Sequence, residues 1–383
     1  FIEDARAAGG DINEEIVRCF AQNSGPAIDW LQSQGVRFAP NIFRAYGGLH
    51  PRCLTAFGNI GARYYISKLH EKSRELGIET RLLTKAEGLH RFEENLLALR
   101  LLDKRTNSEY MVQAPSIVLA TGGFGANLAL RMRYRPELDH EIPTTANPRG
   151  LAEDPATGDG LFLAQSLGAA WVDMDRIVML SYWGGRMLDY IGAEIYVDSE
   201  GRRFVDETAT TSKIAKAIAA LAGRSMFVIT DAKSDKGVNV GAKIAAGSIH
   251  RSDSVAEMAR EMKVSAVQLQ RTLDEYNKCA QDNKQDRFGR RTYLQTIDQP
   301  PFYWGQERLM VHATLGGLST DAKARVQSES GSVIECLFAA GEVAGGIWGS
   351  DRLGGTGLLQ CLVQGKIAGI EAARCAAVSA RRS

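Results

Sequence analysis

Between Cys336 and Ala373 the chain reads CLFAAGEVAGGIWGSDRLGGTGLLQCLVQGKIAGIEAA, and this stretch constrains the fold more than any other. It opens on a short apolar run, Leu337-Phe338-Ala339-Ala340, that stops at Gly341-Glu342, the pattern of a buried strand bounded by glycine. It closes with Leu358 to Ala373, where Leu358, Leu359, Leu362, Val363, Ile367 and Ile370 keep helical spacing. Between the two stand Gly341, Gly345, Gly346, Gly349, Gly354, Gly355 and Gly357. Strand, glycine-rich loop and helix start form the order that offers free backbone N–H groups to an electron-rich ligand, and glycine lets the backbone come close to it. A plain βα turn rich in glycine fits the same spacing, so the residues by themselves leave both readings open.

A set of ordered motifs adds to this. Ala339-Ala340-Gly341-Glu342-Val343 and Asp351-Arg352-Leu353-Gly354-Gly355-Thr356-Gly357 resemble the C-terminal flavin motif of the fumarate reductase/succinate dehydrogenase flavoprotein superfamily. Ser116 to Phe124 resembles that family's second strand-and-glycine turn, and Thr157-Gly158-Asp159-Gly160 its GDG helix start. Gly201 to Glu207 resembles a segment of its capping domain, and Val311 to Gly317 its substrate-side HHTxGG. The resemblance implies an α/β fold: a three-layer, Rossmann-like FAD-binding domain with an inserted α+β capping domain. It implies FAD as cofactor, held near Ala120, Thr121, Gly122, Gly123, Asp159, Gly341, Glu342, Arg352, Gly355, Gly357 and Leu358.

The bounds agree with such a reading. A chain of 383 residues can bury a large core and suggests two domains. Lys+Arg 46 against Asp+Glu 45 leaves almost no net charge, and no block of like charge argues for nucleic acid or an anionic membrane surface. Apolar runs are too short for a transmembrane helix. Cys19, Cys53, Cys279, Cys336, Cys361 and Cys375 show no metal spacing and read as buried or free thiols in a reducing compartment, which suggests the cytoplasm.

The front of the chain lacks the GxGxxG unit with which flavoproteins of this superfamily begin. Phe1 to Phe38 reads instead as two helices, one capped in the Asp11–Glu15 segment ahead of Ile16, Val17 and Phe20, the other carrying Ala27, Ile28 and Leu31 up to Gly35. The expectation is an FAD-binding domain incomplete at its N-terminus by on the order of 60–100 residues.

Along the chain, 39–59 reads as an irregular loop, Ile60 to Leu76 as a helix with Tyr64, Ile66, Leu69 and Leu76 on one side, and Ile78 to Leu83 as a strand. A hairpin follows over 84–91 and 96–103, turning around Glu93-Glu94-Asn95, then strands near 110–113 and 117–120 and a helix over 161–167. Residues 176–311 read as the capping, substrate-side domain, flanked by FAD-binding parts at 1–175 and 312–383. Within it, Ala266, Leu269, Leu273 and Tyr276 mark the buried face of an outer helix, and 283–297 reads as a solvated loop.

For chemistry, the resemblance places the helix start near Gly355 against the N1/C2=O side of the flavin, where its dipole favours the anionic reduced form and hydride transfer at N5. Arg352 matches the substrate-carboxylate arginine, a task that suits a bidentate guanidinium. Other positions depart from the family. The arginine proton donor is replaced by Thr211, with Lys213 two residues on; only His312 remains of the histidine pair, followed by Ala313; the remaining histidine and arginine fall near Met179 and Tyr190. Fumarate is therefore not the expected substrate. Tyr182, Trp183 and Tyr190 point to a small-molecule enone or weakly charged alkene, with Arg352, Tyr190, Lys213 and His312 as catalytic candidates and a separate electron donor. Each aromatic, taken singly, reads more readily as lid core than as a catalytic group. The expected function is FAD-dependent oxidoreduction of a C=C/CH–CH bond; the alternatives are a non-catalytic flavin-binding protein or an inactive apo-fragment lacking the pyrophosphate loop.

Overall fold

The computed structural model describes residues 1–44, 50–56, 62–93, 96–188, 190–237 and 239–379. At its centre the strand Val333–Ala339 lies parallel to Ile117–Leu119, with Leu337 opposite Ile117 and Ala339 opposite Leu119. Arg325–Gln327 adds an antiparallel strand on the other side. Leu337 and Ala339 are fully buried, as an uninterrupted apolar strand requires. Ala340 continues the pairing by donating its N–H to the Leu119 carbonyl at 3.0 Å, and the chain then turns at Gly341 with φ 81°. The closing helix Thr356–Ser379 returns over this strand, packing Ala368 and Ala372 on Phe338 and Ala340.

Two helices precede the sheet. Glu14–Ser33 packs on the closing helix and Ile2–Gly9 packs on Glu14–Ser33, whose Phe20 meets Trp348 edge-on at 5.0 Å. The break expected before Ala27 does not occur: Pro26 lies inside a continuous helix, whose ladder loses one N–H donor there. Asn13, accepting the Ile16 N–H at 3.2 Å, is its cap.

The lid carries its own antiparallel sheet, ordered 250–252, 302–314, 225–230, 195–197. Helices Val255–Met262 and Ala266–Asp282 cover it through Met258, Leu269, Leu273 and Tyr276, all buried against Ile195, Val197 and Ile229. Thr272 completes the buried face of the second helix, whereas Ala266, in its exposed first turn, does not belong to it. The strand Phe302–Thr314 runs out of the lid sheet: its second half pairs with Ile177–Ser181. A bulge interrupts that pairing between Val311 and Ala313, leaving His312 outside the ladder, where a bulge can re-aim a side chain.

Several sequence expectations need correction. The 39–59 segment is not simply a loop, because Phe38–Phe43 pairs antiparallel with Cys53–Ala56; Tyr46, Gly47, Gly48 and Gly58 lie outside the described residues. Ile78 to Leu83 forms no strand: Ile78, Leu82 and Leu83 are exposed, Leu83 has φ 56°, and the strand begins at Thr84. Thr84–Glu93 and Leu96–Asp103 form the expected hairpin, its turn at Glu94-Asn95 lying outside the described residues. The helix Ala62–Glu75 leaves Ile66 exposed, as is Leu76 just beyond it, so its apolar side is not a core face. Cys336 and Cys375 are joined, where free thiols were expected, because strand and closing helix lie against each other.

The 283–297 segment is a largely exposed loop, as expected, but it is anchored by residues that are not solvated. Arg290 is fully buried and Ile297 nearly so. Arg290 donates through Nη1 to Glu207 at 2.8 Å and to the Glu194 carbonyl at 3.0 Å, and through Nη2 to the Gly192 carbonyl at 3.0 Å. Glu207 also takes a bidentate pair from Arg203 at 2.7 Å, and Arg203 reaches Asp286 at 2.7 Å. Charged residues read as solvated in sequence because sequence does not show pairing; here pairing is what permits burial. Arg290→Ala is expected to destabilise the lid by about 3–5 kcal/mol by stripping a counter-charge from buried Glu207. Denaturant unfolding checks this, and a loss below about 1 kcal/mol would contradict it.

Candidate active site

The glycine turns interlock. A Cβ on Gly123 would come within 2.1 Å of Glu342 Oε1 and 2.3 Å of Thr314 Oγ1. Glu342 Oε1 accepts the Thr314 N–H at 2.9 Å and its hydroxyl at 3.2 Å directly over that glycine. On the other side, a Cβ on Gly160 would meet Thr121 Oγ1 at 2.1 Å, and Gly158, in the left-handed region at φ 79°, donates its N–H to the Gly123 carbonyl at 3.0 Å. The turn at 120–123, the helix start at 158–160, Glu342 and Thr314 thus converge on one place, each tolerable only because side chains are missing between them. Ala120, Thr121 and Asp159 remain exposed around it. Burial raises the Glu342 carboxyl above its ordinary value.

Beside these turns the closing helix begins at Thr356, with Gly355 before it at φ 85° and Leu358 61% exposed. First-turn N–H groups of a helix have no intrahelical acceptor and carry partial positive charge. Arg352 lies against this helix start: a Cβ on Gly357 would come 2.5 Å from its Nη1. Its guanidinium makes no hydrogen bond or ion pair with any described residue; burial lowers its pKa, opposed by Glu342 and Asp351. A cation stacked onto the positive end of a helix, without a carboxylate on it, is a site built for an electron-rich group.

Asp351 ties this loop to the lid. Its Oδ2 accepts the Ser212 N–H at 2.8 Å, at the first turn of the helix Thr211–Ala219, while Oδ1 accepts the Arg352 N–H at 2.8 Å. Lys213, the next residue of that helix turn, is exposed and makes no hydrogen bond or ion pair with a described residue. The helix Thr211–Ala219 therefore meets the Arg352 loop at Ser212, with Thr211 buried at its start.

His312 shares Nδ1 with the Thr145 hydroxyl at 2.9 Å. The residue is exposed at its edge, while the protein around the ring is enough to desolvate it. Burial first, and the charge of Arg352 second, lower its pKa to about 4. A neutral ring whose Nδ1 accepts the Thr145 hydroxyl presents Nε2–H as a donor. Thr145 carries no sequence signal: it reaches His312 across 167 positions, through a bridge pairing Thr144 with Val311.

Other candidates go elsewhere. Tyr190 packs against the core and its hydroxyl accepts the Asp235 N–H at 2.9 Å, with the O–H proton still available to donate. Met179 and Ala313 are buried in the strand pair below the bulge. Tyr182 and Trp183 lie at the end of that pair, Tyr182 exposed and Trp183 half-buried, so neither is sealed lid core.

Gly122, Gly123, Gly341, Gly355 and Gly357, an unpaired guanidinium and a helix amino end fit a flat electron-rich group such as an isoalloxazine. The comparisons agree. The profile described as FAD binding domain matches residues 1–358. The chain belongs to that family, within the fumarate reductase/succinate dehydrogenase flavoprotein superfamily, and FAD is its cofactor. It is 30% identical to a probable fumarate reductase of Shewanella frigidimarina over 98% of this chain and 64% of the relative. It is 32% identical to an NADH:fumarate oxidoreductase of Klebsiella pneumoniae, over 94% of this chain and 39% of the relative, and 29% identical to a urocanate reductase of Eggerthella lenta, over 98% and 64%. The chain thus spans two thirds or less of these relatives' lengths. Among solved structures, an open flavocytochrome c3 fumarate reductase superposes with TM-score 0.73 at 28% identity, over 98% of this chain and 67% of that one. A 3-ketosteroid-Δ4-(5α)-dehydrogenase shares the fold at TM-score 0.69 and 22% identity, covering 97% and 83%. Among the described residues no helix is long and apolar enough to cross a membrane.

Two ionisable groups give opposite pH signatures. With its folded pKa near 4, below the ordinary 6.5, His312 stays neutral in the folded protein, so the stability this confers is present above about pH 6.5 and is lost as pH falls toward 4. Its ring carbons should show no NMR titration from about pH 5 upward; a midpoint near 6.5 would contradict a desolvated ring beside Arg352. Glu307, buried and holding the Trp183 N–H, is pushed up to about 7 by burial. The folded state holds that proton longer, so stability falls as pH rises from about 4.5 through 7, by ~3 kcal/mol. Glu307→Gln should flatten that slope in thermal melts taken across the range.

Proposed function

We propose that this protein is an FAD-dependent oxidoreductase acting on the carbon–carbon double bond of an α,β-unsaturated acid or enone. The observation that carries the reading is the unpaired Arg352 guanidinium on the amino end of the closing helix, beside the neutral His312. FAD, when bound, supplies two-electron hydride chemistry; the residues suited to hold it are Ala120 to Gly123, Asp159, Gly341, Glu342, Gly355, Gly357 and Leu358.

The chain's own groups account for the rest. Arg352 anchors the carboxylate or carbonyl conjugated to the double bond, and binding it there offsets the repulsion between the guanidinium and the helix dipole. His312, neutral, donates Nε2–H to an oxygen of the substrate without adding charge. Lys213 supplies the proton to the carbon that gains it; it stands two residues beyond Thr211, which occupies the place of the family's arginine, and its ammonium is a cationic acid on a helix that meets the Arg352 loop at Ser212. With Met179 and Ala313 where relatives carry polar groups, the substrate is less charged at the reacting end than fumarate. Electrons reach the site from a separate donor. We place the lid, which closes over the substrate, at 176–311, with the flavin-binding parts on either side. The named activities of the fumarate and urocanate reductases support the reaction class, and their substrates' carboxylates support the role of Arg352.

The test is anaerobic mixing of the reduced flavoprotein with unsaturated acids and enones, following flavin reoxidation. At least one acceptor should reoxidise it; failure with every acceptor would overturn the proposal in favour of a non-catalytic flavin-binding protein. Arg352→Gln should lower kcat/KM by about 100-fold, mostly through substrate binding. Lys213→Met should lower kcat by about 10²-fold or more with KM little changed, and an unaltered kcat would remove Lys213 from the mechanism.

A further inference from the structure

Trp183 gathers two more cations that the chemistry above does not use. Arg308 lies over its ring with Cζ 5.2 Å from the centroid, and Arg149 with Cζ at 5.8 Å. Neither guanidinium forms an ion pair or side-chain hydrogen bond with any described residue. Two like charges therefore share one indole, neither ion-paired to a described residue. Stacking on a ring occupies the guanidinium face and leaves the N–H edge free for a bidentate partner.

The arrangement is held by the fold. Trp183 donates its main-chain N–H to the buried Glu307, and the Tyr182 N–H donates to the Arg308 carbonyl at 2.8 Å. Arg149 arrives from the loop that, at Thr145, also holds His312. Arg308 stands four residues before His312 on the strand Phe302–Thr314, about 13 Å away at the rise of an extended chain. The same loop and the same strand thus meet at two points, at His312 and at the cationic pair on Trp183.

We propose that Arg149 and Arg308, stacked on Trp183, bind a carboxylate at the far end of the substrate whose conjugated end lies at Arg352 and His312. The inference rests on the function proposed above and names its substrate class: an elongated unsaturated acid carrying a second carboxylate about 10 Å or more from the reacting bond. A four-carbon dicarboxylate is too short to reach both places.

Calorimetric titration of the flavin-loaded protein with a matched pair of probes tests it: 4-(carboxymethoxy)cinnamate, which carries the distal carboxylate, and 4-methoxycinnamate, which lacks it. The dicarboxylate should bind about tenfold more tightly. Arg149→Gln and Arg308→Gln should each remove that preference while changing 4-methoxycinnamate affinity less than about twofold, and Arg308→Lys should keep part of it. Equal affinity of the two probes for the wild-type protein overturns the proposal without any variant. Equal weakening of both probes in the variants also overturns it, since that is the behaviour of a latch that merely steadies the lid. Failure of the underlying function is read separately, as reduced flavin that no unsaturated acid reoxidises.

Discussion

The Glu342 carboxylate accepts the Thr314 N–H directly above Gly123, and a single Cβ on that glycine would occupy the carboxylate's place. This contact joins the strand-and-turn at 117–123, the turn after Val333–Ala339 and the end of the long strand Phe302–Thr314. Gly160 against Thr121 adds the fourth piece. The cleft exists because these backbones pack closer than any side chain permits, and the exposed edges of the same turns are then left facing outward for a ligand. The core beneath, from Leu337, Ala339, Leu119 and the closing helix, supplies the rigidity that holds them.

Electrostatics then defines what the cleft accepts. Arg352 is desolvated against the positive end of a helix, with Glu342 and Asp351 near enough to moderate its charge but engaged elsewhere, one with Thr314 and the other with Ser212 and its own loop. Burial, and after it the charge of Arg352, keeps His312 neutral. In the lid the opposite solution holds: Arg203 and Arg290 are saturated by Glu207, Asp286 and backbone carbonyls. Paired buried charge builds the lid; unpaired charge marks the site.

The closing strand, glycine loop and helix were legible because their signals are local: an apolar run, glycines where the backbone turns, and helical periodicity from Leu358 onward. The lid's helix face was legible at Leu269, Leu273 and Tyr276 for the same reason. What escaped were contacts made across the chain. Thr145 meets His312 only because a bridge aligns Thr144 with Val311, and nothing around Thr145 announces it. Arg290 reads as solvent-facing in a charged segment until its partners from 192–207 are brought in. Cys336 and Cys375 read as separate thiols until strand and helix are stacked. The bond that Tyr190 accepts from Asp235, 45 positions away, was likewise invisible in the sequence.

The most direct measurement is a titration of the purified protein with FAD, followed by perturbation of the flavin's visible band and repeated with Gly123→Ala. The account predicts stoichiometric binding by the wild-type protein and its loss in the variant, because a Cβ at 123 displaces Glu342 and opens the interlocked turns. FAD bound equally well by Gly123→Ala, or not at all by the wild-type protein, would contradict the assignment of this cleft to the flavin.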